Sequence, residues 1–466
     1  MATATAEAVG GGQLSDRRER VGWYFYDWAN SAFVTTGVTV FLGPYLTSVA
    51  KHSVGCSADD TCAGRYIHPL GIAIHPGSLF PYAVSLSVLL TVFVLPVVGA
   101  IADRSARKKQ LLALFAYIGS AATVGQLFLT GNRYLLGAIL FLVANIAFGA
   151  SVVVYNSFLP QLAGPDQRDS VSSIGWAIGY IGGGLLLAIN VAAVLFKDSL
   201  GMDTATVARY SIVSAGLWWA GFTTLPLLRL RNRPAVAGSA PRAGSGAALG
   251  SVLVDGFRQL GHTLRGLRAY PLTLFFLGAY LIYNDGIQTV ISLASLYGTE
   301  ELKLPDTVLV PTILMVQFLA FFGALGLGAL AKRIGAWKTV LATLVLWTFV
   351  LVVAYLLPAH RAIPFILLGG AIGIVLGGSQ ALSRSLFSQL IPPGREAEYF
   401  GIYEISDKGT SWLGPLAFGA AYDATGSYRV AIISLLVFFV VGFVALAAVP
   451  IRRAITAAGN TPPHVL

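Results

Sequence analysis

Charge is scarce in this chain: Asp, Glu, Lys and Arg make up 11% of its 466 residues, against 56% hydrophobic residues and a mean hydropathy of +0.72. So little charge excludes a string of soluble domains, which need a charged surface to stay in solution. Cysteine is nearly absent, with two residues in all, which excludes a disulfide-dense scaffold and any cysteine-built zinc or iron–sulfur centre. No G-x-x-x-x-G-K-[S/T] segment occurs, which disfavours an ATP-driven pump, and no H-E-x-x-H or G-x-S-x-G segment supports a membrane-embedded enzyme. Neither a metal nor a cofactor is expected. Residues 1–20 lack the apolar core of a cleavable signal peptide and end in Asp16-Arg17-Arg18-Glu19-Arg20.

What fills the chain instead is apolar runs of 18 or more residues, each long enough to cross a bilayer as a helix. Twelve candidate spans follow, over 21–46, 80–102, 110–130, 134–161, 171–196, 208–230, 271–298, 309–331, 337–357, 363–390, 399–422 and 427–450. The fold class is therefore an all-α integral membrane protein of twelve transmembrane helices. With the N-terminus inside, Lys and Arg at the span ends and in the loops divide at about 21 cytoplasmic against 8 external, so both termini are expected in the cytoplasm. The net charge of +10 is thus a topology signal and a match to anionic lipid heads at Arg104–Lys109 and Arg229–Arg233, not a mark of nucleic-acid binding. The preference for Arg over Lys and the richness in Ala hint at a GC-rich bacterium and its plasma membrane. Cys56 and Cys62 fall in the first external loop, where a disulfide is expected in an oxidising compartment. His52, His68 and His75 share that region, but their spacing fits no zinc pattern.

One acid interrupts the first run. Asp27, Asn30 and Ser31 stand at i, i+3 and i+4 and share a helix face. A charged Asp at mid-membrane costs about 2.5–3.5 kcal/mol on insertion scales, so it is expected to face the bundle interior or a water-filled passage. Trp23, Tyr24 and Trp28 near the same boundary read as interface anchors.

The chain also repeats itself. Gly99-Ala100-Ile101-Ala102-Asp103-Arg104 aligns with Gly328-Ala329-Leu330-Ala331-Lys332-Arg333, and Tyr155-Asn156-Ser157 aligns with Ser383-Arg384-Ser385 at nearly the same offset. A looser match joins Asp27-x-x-Asn30-Ser31 to Asp285-x-x-Gln288-Thr289, although the two acids differ in depth by about two helical turns. Six spans followed by six spans is the simplest account. The expected organisation is a cytoplasmic tail over 1–20, a six-helix bundle over 21–230, a cytoplasmic linker over 231–270, a second bundle over 271–451 and a tail over 452–466 that reads as disordered. Within the linker, Pro234–Gly250 is compositionally flexible, and Ser251–Tyr270 is amphipathic, lying either on the leaflet or on the bundle ends.

On these residues the chain resembles the major facilitator superfamily. Gly99-x-x-x-Asp103-Arg104-x-x-Arg107-Lys108 is similar to that superfamily's loop motif between spans two and three. Tyr26-Asp27-Trp28-Ala29-Asn30-Ser31-Ala32, Tyr283-Asn284-Asp285-Gly286 and Glu404-Ile405-Ser406-Asp407-Lys408-Gly409 resemble its vacuole-effluxer branch, which comprises autophagy-related amino-acid exporters and bacterial relatives. The resemblance implies two pseudo-symmetric six-helix bundles and a secondary transporter working by alternating access. The expected solute is an amino acid, the expected state a monomer, and proton coupling an option. A proton-coupled exporter of drugs or sugars, and a non-transporting receptor on the same fold, remain the alternatives.

The resemblance also implies that spans one, four, seven and ten line a central passage. These spans, with span eleven, supply the candidate solute- and proton-binding residues: Asp27, Asn30, Ser31, Asn156, Asn284, Asp285, Gln288, Arg384, Glu404, Asp407 and Lys408. A buried carboxylate can carry a proton, and a buried Arg can hold a solute carboxylate. Glu404, Asp407 and Lys408 equally read as a structural network that neutralises itself or pairs with Arg384. Gly99, Asp103, Arg104 and Arg107 are the candidate gate, with a plain topology signal as the other reading. Asn145 and Asn190 read as glue between helices.

Overall fold

A bilayer offers backbone N–H and C=O groups no partner but one another, and the apolar runs accordingly close their hydrogen bonds as helices. The computed structural model of the chain describes residues 17–57, 62, 64–233, 265–266, 268–408, 413–425 and 427–466. The first half comprises α1 (Arg17–Ser53, with a widened π-helical stretch at Phe33–Leu42), α2 (Leu79–Arg104), α3 (Lys108–Gly125), α4 (Tyr134–Asn156), α5 (Arg168–Leu195) and α6 (Thr204–Arg229). The second comprises α7 (Pro271–Leu296), α8 (Asp306–Ile334), α9 (Ala336–Leu356) and α10 (Ala362–Gln389). It continues with α11, described as Glu396–Lys408 and Leu413–Thr425, and α12, described as Tyr428–Ser434 and Leu436–Ala448. Eleven of these segments are long and apolar enough to span a membrane without interruption, and α11 supplies the twelfth span in two described pieces.

Small residues set the spacing of the helices, as packing inside lipid requires. A Cβ on Gly182 of α5 would lie 2.7 Å from the Trp28 carbonyl of α1, and one on Gly373 of α10 would lie 2.8 Å from the Val316 carbonyl of α8. Each half keeps its own aromatic core, around Trp23, Phe33, Tyr155 and Trp219 in the first and around Phe276, Tyr283, Trp347 and Phe439 in the second. The halves meet as duplicated partners. Gly99 of α2 abuts the Ala397 and Glu398 backbone of α11, and its repeat counterpart Gly328 of α8 abuts Ser173 of α5.

Two expectations are corrected and a third is not reached. The first helix, described from Arg17, runs at least 37 residues, about 55 Å at the helical rise, so it extends beyond any single bilayer thickness. Asp27 thereby stands deeper in its helix than the apolar run alone suggested. The tail beyond Arg453 does not hang free: Ile451–Ala457 forms a helix, α13, with Ala454 and Ile455 buried. After it, Asn460 Nδ2 donates to the carbonyls of Gln389 (2.9 Å) and Ile391 (2.7 Å), and the amide of His464 donates to Asp166 in the first half (2.7 Å). The expected linker Pro234–Gly250 and most of the amphipathic Ser251–Tyr270 lie outside the described residues.

Candidate functional site

Arg384 is the centre of the polar layer between the halves. It is 3% exposed on α10, a position that would be prohibitive for an unpaired guanidinium. The fork is filled almost completely. Nε donates to the Ser172 hydroxyl (2.9 Å) and Nη2 to the Ser172 carbonyl (2.9 Å) on α5. Nη1 donates to Asp27 Oδ2 on α1 (3.2 Å) and to Asn156 Oδ1 on α4 (3.4 Å). Three rings surround the same cation: Cζ lies 4.9 Å from the Trp23 centroid, 5.3 Å from Trp176 and 5.7 Å from Tyr155, within cation–π range.

Asp27 is shared. The Tyr155 hydroxyl donates to the same Oδ2 at 2.6 Å, and Tyr155 is held by stacking on Trp23 at 4.4 Å and by the Trp23 Nε1–H bond to its carbonyl at 3.0 Å. Gly175 and Gly179 of α5 leave the room: a Cβ on Gly175 would lie 2.8 Å from Asp27 Oδ2, and one on Gly179 would lie 2.9 Å from Ser31 Oγ. Trp23, expected as an interface anchor, is fully buried in this box, because it lies on the face of α1 that packs against Tyr155 and Arg384. Tyr24 is also buried, and Trp28 stacks on Trp218 at 5.6 Å.

Span eleven joins the layer at two levels. Asn156 Nδ2 donates to Glu404 Oε1 at 3.0 Å, and Asn284 Nδ2 donates to Asp407 Oδ1 at 2.9 Å. Gln380 Nε2 donates to Asn284 Oδ1 at 2.9 Å, and the Tyr280 hydroxyl to Asp407 Oδ1 at 2.8 Å. The acid that meets Arg384 is thus Asp27 from the other half, not the span-eleven carboxylates proposed as its partners. The side chain of Lys408 lies outside the described residues.

Asp285 stays apart from this network. A step of one residue turns a helix by about 100°, so Asn284 faces α10 and α11 while Asp285 faces elsewhere. Asp285 is 1% exposed, and the backbone N–H of Gly414 is its one polar neighbour among the described residues, short of a well-formed hydrogen bond. Asn30 is buried, and Gln288 is half-buried one turn beyond Asn284. Asn145 bridges to Ser87 on α2 (2.8 Å), and Asn190 to Ser214 on α6 (3.1 Å).

At the end that carries both termini, Asp103 accepts hydrogen bonds from the backbone amides of Ala397 (2.9 Å) and Glu398 (2.8 Å), the positive end of α11. Lys108 Nζ pairs with it at 3.0 Å. Arg104 and Arg107, expected beside Asp103 in this role, have exposed side chains. Beside it, Arg168 Nη1 donates to the Ser388 carbonyl (2.8 Å) and the Ser385 hydroxyl to Asp169 (2.5 Å). Among the described residues, the hydrogen bonds between the halves all fall between the Arg384 layer and this end. The first loop is closed by a disulfide joining Cys56 and Cys62, with Cα atoms 5.9 Å apart.

Comparison with known proteins places this geometry. The fold is similar to a bacterial homologue of the iron transporter ferroportin in an outward-facing state, with a TM-score of 0.62 and 15% identity over 92% of this chain and 98% of that one. It is similar also to the major facilitator transporter FucP in its outward conformation, with a TM-score of 0.61 and 14% identity over 92% and 97% of the two chains. In sequence the chain is 28% identical to the MFS-type transporter YxiO of Bacillus subtilis over 93% of this chain and 95% of that protein. It is 30% identical to autophagy-related protein 22 of Pyricularia oryzae over 91% of this chain and 75% of that protein. The family described as vacuole effluxer Atg22-like matches residues 15–459. The chain is a twelve-helix membrane transporter of the major facilitator superfamily, not an enzyme, and belongs to the Atg22-like vacuole-effluxer family.

Proposed function

We propose that the solute is an amino acid, bound where Arg384 and Asp27 meet, and that a proton accompanies it. The observation that carries this reading is the 3.2 Å ion pair itself, which joins α10 of one half to α1 of the other inside an aromatic box. To open the end that carries the termini, the halves must part at this pair. Removing one partner of a buried pair costs about 3–5 kcal/mol, because the other charge is left uncompensated. A zwitterion removes that cost by putting its carboxylate on Arg384 and its ammonium on Asp27. A proton on Asp27 would neutralise the carboxyl when no ammonium is there to meet it, while Arg384 keeps a counter-charge only if the solute carboxylate is bound. Trp176 supports the reading, since its indole N–H is buried beside Arg384 and has no acceptor among the described residues.

Asp103 on the α11 amides is the latch that favours the arrangement described here, and Asp285 is a second candidate proton carrier. Both termini are placed in the cytoplasm, the membrane is the bacterial plasma membrane, and a single chain is the working unit. A thermal-shift screen of the purified protein against amino acids, sugars and cationic drugs tests the solute class, because a ligand stabilises the folded state by mass action. The expected result is a rise in Tm with particular amino acids that is lost in Asp27→Asn and in Arg384→Gln. A rise with sugars or cationic drugs and none with amino acids would overturn it.

A further inference from the structure

Outside the transport layer, α1, α3 and α6 converge at the termini end on a cavity of about 370 Å³. Four cations line it: Arg18 from α1, Lys109 from α3, and Arg229 and Arg231 from the end of α6. Glu19 is the one acid in the lining, and it is already occupied. Its carboxylate, 3% exposed, takes the Arg233 guanidinium in a two-point fork (3.0 and 2.9 Å) and the backbone amide of Arg231 (3.1 Å). Among the described residues, Lys109, Arg229 and Arg231 have no carboxylate partner.

The cavity is also held in shape. Asn232 ties its two sides together, accepting from the Lys109 amide (3.0 Å) and donating to Gln110 Oε1 (2.8 Å). Gly22 of α1 leaves room for the Arg229 stem, since a Cβ there would lie 2.5 Å from Arg229 Cβ. Positive charge at a membrane face is common, but orienting the chain needs only a number of cations near the span ends. It needs neither a cavity nor an acid buried beneath it. Cations lining one cavity repel one another, and a phosphate relieves that repulsion while offering Arg several acceptors in fork geometry. Leu228 at the cavity edge is 76% exposed, so an apolar surface adjoins the charged one.

We infer that this cavity is a phosphate site, filled by the headgroup phosphate of an anionic phospholipid whose acyl chains lie along α6. The site does not depend on the solute assigned above. Its reach to Gly22, five residues before Asp27, places the bound lipid against the helix that carries the transport acid.

Native mass spectrometry of the full chain in detergent tests it, with phosphatidylglycerol, phosphatidylcholine and inorganic phosphate as probes. The wild type is expected to retain phosphatidylglycerol over phosphatidylcholine by about tenfold or more. Arg229→Gln with Arg231→Gln is expected to remove that preference. Arg452→Gln with Arg453→Gln, an equal loss of charge among exposed residues of α13, is expected to keep it. Displacement of the lipid by excess inorganic phosphate supports the headgroup as the source. Equal retention of inorganic phosphate without any lipid preference supports the same site filled by a free anion. A wild type that neither prefers phosphatidylglycerol nor binds phosphate overturns the proposal whatever the variants do. An equal loss in the Arg452/Arg453 pair overturns it as well, because diffuse charge would then explain the binding.

Discussion

Lys108 Nζ stands 3.0 Å from Asp103 Oδ1, and both side chains are buried where the two halves close on each other. Asp103 thus holds three donors at once: the lysine, and the amides of Ala397 and Glu398. Hydrogen bonds to a charged acceptor contribute about 1.5–3 kcal/mol each, so Asp103→Asn, which replaces one acceptor oxygen by a donor, should loosen this end by an amount of that order. Lys108→Gln should loosen it less, and Arg107→Gln, at an exposed side chain, hardly at all. Labelling of single cysteines placed along α11 near Ala397 checks the ranking, with faster labelling expected in the order Asp103, Lys108, then Arg107.

Gly99 makes the same closure possible sterically. Any Cβ there would meet the Ala397 carbonyl and the Glu398 Cα of α11, which are backbone and cannot turn aside. Gly99→Val is therefore expected to force α2 from α11 and expose the termini end to the same labelling reagent. Gly221, with open space around its Cβ position, should tolerate Ala without change.

Much of this was legible in the repeat. Asn156 and Arg384 occupy matching positions of the duplicated segments, and in the structure they meet at 3.4 Å, as equivalent residues near a two-fold axis can. The loop motif likewise pointed to Gly99 and Asp103. What the sequence could not show is the partner of Arg384, because Asp27 lies 357 residues away and nothing local selects it over Glu404 or Asp407. Trp23 is illegible for a related reason. Hydropathy marks where an apolar run begins but not which helix face turns inward, and Trp23 lies on the face that meets Tyr155 and Arg384. The tail reads as disordered in sequence because Ile451, Ala454 and Ile455 form a helical stripe too short to stand out beside two arginines.

Asp285 and Asn284 give a contrast between neighbours. Asn284 donates to Asp407 and accepts from Gln380, so Asn284→Ala should leave two buried polar groups short of partners and lower Tm. Asp285→Asn removes a buried charge that has only the Gly414 backbone N–H near it among the described residues, so its Tm is expected to hold or rise. Its proton-driven flux is expected to be lost. Thermal unfolding of both variants, paired with a pH-jump uptake assay, separates the two effects.

The C-terminal segment is expected to strap the closed end. Asn460→Ala removes two bonds to the end of α10, each worth about 0.5–1.5 kcal/mol, and should lower Tm measurably. Deleting residues 459–466 also severs the His464 link to Asp166 and should speed labelling at the termini end beyond the effect of Asn460→Ala. Equal labelling of the deletion and the intact chain would show that the strap does not hold the halves together.

Exchange of labelled amino acids in proteoliposomes is the most direct test of the Asp27–Arg384 pair as the place where the solute sits. The wild type should show counterflow of an amino acid. Arg384→Lys, which keeps the charge but loses the fork, and Asp27→Asn should each reduce it by about a hundredfold or more, given about 3–5 kcal/mol for a broken buried pair. Counterflow at the wild-type rate in both variants, with correctly inserted protein, would contradict the account.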